Sequence, residues 1–300
     1  MSSFNSNILN SRLVSIGMPV YNGEKYIGEA LEALLNQDYD NLEIVICDNA
    51  SEDSTAAICE NYSEKDPRIK YFKNSENLGP ELNFQRVLDL SVGEYFMWAS
   101  HDDIWSNNYV STLIEYLELN RSCVLAYSSL HNVDDSGSIV REFPSINLLS
   151  KNTVLVNRLE KLLWFEESQG KANLLYGIIR ANIIKKIGTK IWNSYGSWGS
   201  DYLIVFNLAL YGDFIFVPNA NFYKRLTQGK SVPTIEYLKL LQGYFHGYRR
   251  IIESSELSED SKILLLSSVS VKETQWYTRE FGKTSFIELK DFIRKFIMSL

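Results

Sequence analysis

The sequence predicts an α/β protein, a mostly parallel central sheet flanked by helices, and three observations carry that prediction. Short apolar stretches alternate with segments of helical spacing, giving a β-α-β-α-β-α-β order over the first hundred residues. Gly93-Glu94-Tyr95-Phe96-Met97-Trp98-Ala99 has no helical period and stops at Ser100-His101-Asp102-Asp103, as a strand buried on both faces would. Polar clusters stand at three strand ends: Tyr21-Asn22, Asp48-Asn49 and His101-Asp102-Asp103. Neighbouring first, second and fourth strands would bring these clusters to one crevice, the edge where open α/β sheets bind ligands.

The elements follow in order. Leu13 to Pro19 is the first strand, and Val20-Tyr21-Asn22-Gly23 the turn after it, with Asn22 suited to cap the next helix. Between Glu24 and Asn36, Tyr26, Ile27, Ala30, Leu31, Leu34 and Leu35 share one helical face. Leu42 to Cys47 is a second strand, followed by a polar run from Asp48 and a helix over Thr55 to Tyr62. Arg68 to Lys73 is a third strand. Asn77-Leu78-Gly79 then turns into a helix opened by Pro80 and running to Leu90. Ordinary helix lengths between strands imply right-handed crossovers.

Composition narrows the function classes. The chain has 300 residues and a net charge of −7, with no basic stripe, which argues against a sequence-independent grip on nucleic acid. Cys47, Cys59 and Cys123 form no C-x-x-C pair and read as small buried hydrophobes in a reducing compartment. The start of the chain lacks the pattern of a signal peptide, and no stretch reaches the roughly 18 apolar residues of a spanning helix. The expected setting is cytoplasmic, soluble or peripheral to the inner face of a membrane.

Adjacent carboxylates at a strand end repel unless a cation, a proton or a basic group joins them. Asp102 and Asp103 therefore mark either a metal site or the cap of a helix beginning near Trp105. Neither G-x-G-x-x-G nor a G-x-x-x-x-G-K-[ST] loop is present, so a nucleotide would not be held by a glycine-rich turn. A cation on Asp102 would instead hold a diphosphate, and hard oxygen donors suit Mg²⁺ or Mn²⁺.

Met18-Pro19-Val20-Tyr21-Asn22, Val45 through Thr55, Asn77-Leu78-Gly79 and Gly93 through Trp105 together resemble the family 2 glycosyltransferases. The resemblance spans about Leu13 to Arg225. It implies the GT-A fold and transfer of a sugar from a nucleotide-diphosphate donor to an acceptor hydroxyl, with inversion and metal assistance (Mn²⁺ or Mg²⁺). By resemblance, Pro19, Tyr21 and Asn22 flank the base and ribose, Asp48 bonds the base, and Asn77 belongs to the donor site. Asp102 matches the metal ligand. Ser100 stands where family members often carry an acidic residue, and His101 is placed to touch ribose or phosphate or to act behind them. A sugar nucleotidyltransferase and a non-catalytic nucleotide-sugar-binding module are the rival readings.

In the second half, Cys123 to Ser129 reads as a strand and Asn132 to Gly137 as a hairpin turn before Ser138 to Arg141. Phe143 to Asn152 reads as an irregular flap, Val154 to Phe165 as a helix, and Asn173 to Arg180 as a strand. Asp201 opens a helix over Tyr202 to Leu210. By resemblance it is the catalytic base, with Ser200 replacing the first member of a frequent acidic pair and Trp198 offering a face to an acceptor sugar. Asp213 to Val217 and Asn221 to Arg225 read as two short strands. The loop after them resembles the family segment that closes over the diphosphate, making Arg225 and Lys230 candidate phosphate contacts.

The organisation expected is a GT-A domain over 1–231, with a nucleotide-binding half at about 11–130 and an acceptor half at about 131–231. A C-terminal helical region over 232–300 follows. The Q-x-x-R-W motif of processive synthases is absent, which favours single additions in surface polysaccharide or glycolipid assembly. The expected partners are a UDP-, dTDP- or GDP-sugar and a saccharide or lipid-linked saccharide. The C-terminal helices, among them the amphipathic stretch Phe286 to Leu300, suit packing on the domain, a homodimer or a membrane surface.

Overall fold

The computed structural model describes residues 12–150, 154–189, 199–226 and 234–281. Its first half is built on β1 (Val14–Val20), β2 (Leu42–Asp48), β3 (Ile69–Lys73) and β4 (Tyr95–Trp98), all parallel, in the order β3-β2-β1-β4. Every residue of β1, β2 and β4 is buried, which explains their near-continuous apolar sequences. The connecting helices α1 (Ile27–Leu35), α2 (Thr55–Lys65) and α3 (Pro80–Leu90) lie within a few residues of their expected limits. From β1 the chain passes to β2 on one side and later to β4 on the other. The strand order reverses there, so a crevice opens at the C-terminal ends of β1 and β4.

Beyond β4 the sheet becomes mixed. β5 (Ile104–Trp105) lies at the far edge, paired to β9 (Asp213–Arg225); β6 (Cys123–Val133), β7 (Ile139–Glu142) and β8 (Ile178–Arg180) complete nine strands among the described residues. β8 runs antiparallel to both β4 and β6, while β6 and β9 are parallel. Outside the sheet lie α4 (Tyr109–Leu119), α5 (Leu155–Trp164), α6 (Ala181–Ile187), α7 (Ser200–Leu208), α8 (Thr234–Glu253) and α9 (Glu259–Phe281). All three cysteines are buried and free, as small hydrophobes in the core.

Several expectations need correction. No helix begins near Trp105; Ile104 and Trp105 pair with Tyr223 and Phe222 in β5, and Trp105 stacks on Phe222 at 5.8 Å. The helix starts four residues later, after Asn108, so Asp103 does not cap it. The segment read as a flap contains a 3-10 helix, Pro144–Leu149, with Phe143, Ile146 and Leu149 buried and the Ile146 carbonyl held by the Tyr127 hydroxyl at 2.9 Å. Only Ile178–Arg180 of the expected 173–180 strand is extended, the preceding turn being a 3-10 helix, Lys171–Tyr176. The two short strands after Gly212 are one strand whose register against β6 shifts between Ser128 and Ser129. Asn22 does not cap α1: its side chain turns instead to the β2–α2 loop.

The C-terminal helices pack on the second half. Leu241, Tyr244, Phe245, Tyr248, Ile251 and Ile252 of α8 are buried, as their helical spacing suggests, together with Leu265, Val269 and Trp276 of α9. An Arg249–Glu273 ion pair joins the two helices. No helix among the described residues is long and apolar enough to cross a membrane. The expected amphipathic stretch from Phe286 lies outside the described residues.

Candidate active site

The site grows from the strand ends. β1 delivers Pro19 and then Tyr21, which is 42% exposed, and β4 delivers Ser100 and His101. With Asn49, Asn77, Asn83 and Phe84 these residues line a cleft of about 250 Å³. Pro19, Tyr21, Asn77, Ser100 and His101, scattered over 83 positions of sequence (101 minus 19, both included), thus meet at the switch point of the sheet. The His101 ring lies against Gly23, where a Cβ would fall only 2.6 Å from it. Burial holds the His101 imidazole below its ordinary pKa, with the charges of Asp102 and Asp53 opposing that shift, so the ring favours the neutral form.

A ladder of amides fixes one wall of this cleft. Asn49 donates to the Asn77 side-chain oxygen at 2.8 Å and to the Gly79 carbonyl at 3.2 Å. Its own oxygen accepts from Asn74 and from the Leu78 amide. Asn74 donates on to Asn83, whose amide reaches the Cys47 carbonyl at 2.8 Å. Uncharged amides suit such a place, because each can both give and accept without the desolvation cost of an ion.

Asp48, expected to bond the base, is fully buried at the end of β2, one carboxylate oxygen accepting the Ser51 amide and the other the Tyr71 hydroxyl. Its neighbour Asn49 lines the cleft. Asn22 is exposed with φ of 52°; its backbone amide donates to Ser51 Oγ and its side-chain oxygen accepts the Glu52 amide. It therefore clamps the β2–α2 loop beside the cleft.

The two carboxylates after β4 separate in role. Asp102 is part-exposed and takes the Ser100 hydroxyl as a donor. Asp103 is buried, accepts the Arg225 backbone amide at 2.9 Å, and leaves Oδ2 without a hydrogen-bond partner among the described residues. Burial, reinforced by the Asp102 charge, pushes the Asp103 carboxyl up to about 7, with Lys224 and Arg225 opposing. No group of three His, Cys, Asp or Glu converges as a metal cage among the described residues. The donor set fits Mn²⁺ or Mg²⁺ as one carboxylate, Asp102, beside the Ser100 hydroxyl, with other positions left to substrate oxygens.

Arg225, expected as a phosphate contact, has a side chain 1% exposed, and Nε, Nη1 and Nη2 are engaged by the carbonyls of Asp102, Asp134 and Asp135 and by Glu29. In this arrangement it ties the site together from inside. Lys230 and Trp198 lie outside the described residues.

Asp201 stands in the first turn of α7, part-exposed, with one oxygen on the Tyr202 amide at 2.9 Å. Burial raises its pKa, opposed by that amide and by the charges of Lys224 and Lys171. Lys224 was not singled out in the sequence. It donates to Asn173 at 2.8 Å, lies 5.1 Å from the Tyr176 ring centre, and bears electrostatically on both Asp103 and Asp201. One signal could have found it: a lysine next to Arg225 in a strand whose other neighbours are apolar or aromatic.

Comparison with known proteins fits this geometry. Residues 15–173 match the profile described as Glycosyl transferase family 2, more than half of the chain, and the chain belongs to that family. An uncharacterized glycosyltransferase of Haemophilus influenzae is 30% identical over 196 residues, covering 64% of this chain and 59% of its own length. One from Rickettsia felis is 34% identical over 154 residues, but the match spans only 25% of that protein and 50% of this chain. In fold, the chain superposes on residues 1–349 of S. aureus TarS, solved in complex with UDP. The TM-score is 0.68 at 20% identity, covering 93% of this chain and 78% of that one. A mannosyltransferase of Pyrobaculum calidifontis, solved with GDP-Man and Mn²⁺, superposes with a TM-score of 0.55 at 14% identity, covering 95% and 80%. The α/β architecture with helices after it is thus that of GT-A-like glycosyltransferases.

Proposed function

We propose that this protein transfers a single glycosyl group, with inversion, from a nucleotide-diphosphate sugar to an acceptor hydroxyl. The observation that carries the reading is the cleft where Pro19, Tyr21, Asn49, Asn77, Ser100 and His101 meet at the switch point, next to Asp102. An aromatic ring, amides and a neutral imidazole suit a base and ribose better than they suit a diphosphate. The diphosphate would lie toward Asp102, where Mn²⁺ or Mg²⁺, when bound, would offset its charge.

The acceptor oxygen forms a bond to the anomeric carbon as the bond from that carbon to the diphosphate oxygen breaks. The acceptor proton passes to an Asp201 oxygen, and the nucleotide diphosphate leaves with the electron pair. A raised pKa suits Asp201 to this task, since a more basic carboxylate takes a proton more readily. Lys224 adds a fixed positive charge toward the same carboxylates. UDP, UDP-GlcNAc and GDP-Man in the structural neighbours support a nucleotide-sugar donor of that kind. Surface polysaccharide or glycolipid assembly, on a saccharide or lipid-linked acceptor, is the setting we infer.

Hydrolysis of UDP-, dTDP- and GDP-sugars with Mn²⁺ tests the reading, with slow release of one nucleotide diphosphate expected. Release from none, with a donor bound, would favour the non-catalytic binding module. That module is the one rival kept by a specific observation: Ser100 and Ser200 stand where acidic residues are frequent. Asp102→Ala should cost at least tenfold in Mn²⁺-dependent donor affinity, and unchanged affinity would remove Asp102 as the metal ligand.

A further inference from the structure

A second charged cluster lies buried among α5, two 3-10 turns (Glu167–Gln169 and Lys171–Tyr176), α8 and α9. Glu167 Oε1 accepts from Lys272 at 2.8 Å and from the Tyr244 hydroxyl at 3.0 Å, and pairs with Lys171 at 3.1 Å. The three charged side chains are 10%, 5% and 2% exposed, in the order Glu167, Lys272 and Lys171. Lys171 also donates to the Leu162 carbonyl at 2.8 Å and Lys272 to that of Leu163, in the last turn of α5, where the helix dipole favours cations. Buried ions of this kind add little stability over apolar packing of the same shape. Simple docking of the C-terminal helices therefore does not account for them.

The cluster reaches the site through α7. The Tyr202 ring lies 5.5 Å from the Lys171 ammonium, and it meets Tyr244 edge-on at 5.9 Å. The Tyr202 backbone amide is the group that holds Asp201. Gly199 enters the helix at φ +79°, and a Cβ there would fall 2.7 Å from the Tyr244 ring. One turn further, Phe206 meets Tyr248 edge-on at 4.8 Å, and Tyr248 shares a 2.9 Å hydrogen bond with Tyr244.

We propose that Glu167 is the positioning residue for Asp201, gathering Lys171, Tyr244 and Lys272 into a clamp that holds the first turn of α7 between α5 and the C-terminal helices. The role rests on Asp201 as the base. It makes α8 and α9 working parts of the catalytic half, and it gives Lys171 a second task as a cation facing Asp201. The ionisable groups that face Asp201 are Lys224 of β9, Lys171, and the tyrosines Tyr176, Tyr202 and Tyr248. Burial and the Lys272 charge bring Lys171 down to about 7, against the pull of Glu167. Removing a cation takes away support for the Asp201 carboxylate, so its pKa must rise.

The test is a carboxyl-carbon NMR titration of the full chain labelled at aspartate, the Asp201 signal being identified by its loss in Asp201→Asn. In Lys171→Met the Asp201 midpoint should move up by about half a unit or more; a midpoint unchanged or lower overturns the clamp. Lys171→Gln, which keeps a polar head for the Leu162 carbonyl, carries the same prediction should Lys171→Met not fold. Tyr244→Phe keeps the ring and removes one bond to Glu167. Hydrolysis of UDP-GlcNAc or GDP-mannose with Mn²⁺ should then fall several-fold, with donor affinity within twofold; unchanged turnover also overturns the proposal. The titration needs no turnover. If Asp201→Asn hydrolyses donor like wild type, the base assignment fails on its own while the titration still reports on the clamp.

Discussion

The two halves of this molecule solve different electrostatic problems. Around the cleft, the first half uses neutral groups: Asn49, Asn74, Asn77 and Asn83 in a ladder, a neutral imidazole at His101, and backbone amides. Around Asp201, the second half buries charged side chains: Glu167, Lys171 and Lys272, with Lys224 nearby. Neutral amides hold a shape over a wide pH range and do not compete with a charged ligand for counter-ions. Buried ions are costly, yet they set the proton affinity of a neighbouring carboxylate in a way amides do not. On the proposed function, the difference teaches that binding and chemistry are divided along the chain, the binding side running past β4 through Ser100, His101 and Asp102.

The largest expected effect lies in the second half. Asp201→Asn keeps size and removes the proton acceptor, so kcat should fall by about 10²- to 10⁴-fold. Donor affinity, which the proposed function assigns to the first half, should stay within about twofold. A parallel collapse of donor affinity would break the division of labour, because it would put Asp201 in the donor site. Near-normal turnover would remove Asp201 as the base.

Arg225→Met should act next most strongly, and on stability. It withdraws donors from three carbonyls and leaves Glu29 without its partner, a loss on the order of 3 kcal/mol in urea unfolding. Stability within about 0.5 kcal/mol of wild type, with donor affinity lost, would make Arg225 a phosphate contact and not an internal tie.

Legibility follows the same division. The first half was readable because its signals are local: apolar spacing in α1, the proline opening α3, and unbroken apolar runs in β1, β2 and β4. Pro19, Tyr21, Asn77, Ser100 and His101 can be gathered from sequence because Pro19 stands near the end of β1 and the others in loops that follow strands. The part of Asn49 in the amide ladder is not legible, because its partners Asn74, Asn77 and Leu78 come from a separate stretch of sequence. Ile104–Trp105 is not legible locally because a two-residue strand is defined by its partner, and Ile104 pairs with Tyr223, 119 residues on (223 minus 104). Glu167 and Lys171 carry no local signal, and Lys224 only its place beside Arg225 among apolar and aromatic neighbours. In sequence Glu167 and Lys171 look like ordinary surface charges, and only long-range packing buries their side chains near the helix that bears Asp201.

The smallest expected effect sharpens where the first half ends and the ligand begins. Asn22 stands at φ 52°, a left-handed position that costs an alanine roughly 1–2 kcal/mol and costs glycine little. Its side chain also holds the exposed Glu52 amide at 3.0 Å, a bond contributing about 0.5–1 kcal/mol. Asn22→Gly loses the bond but relieves the backbone, so its unfolding free energy should lie within about 0.5 kcal/mol of wild type. Asn22→Ala loses both and should be less stable by about 1–2 kcal/mol. Donor affinity then separates architecture from contact. If the two variants bind donor alike, and both more weakly than wild type, the Asn22 side chain touches the nucleotide. If Asn22→Gly binds as wild type does and only Asn22→Ala is impaired, the residue serves the loop, and the neutral wall of the cleft begins at Tyr21.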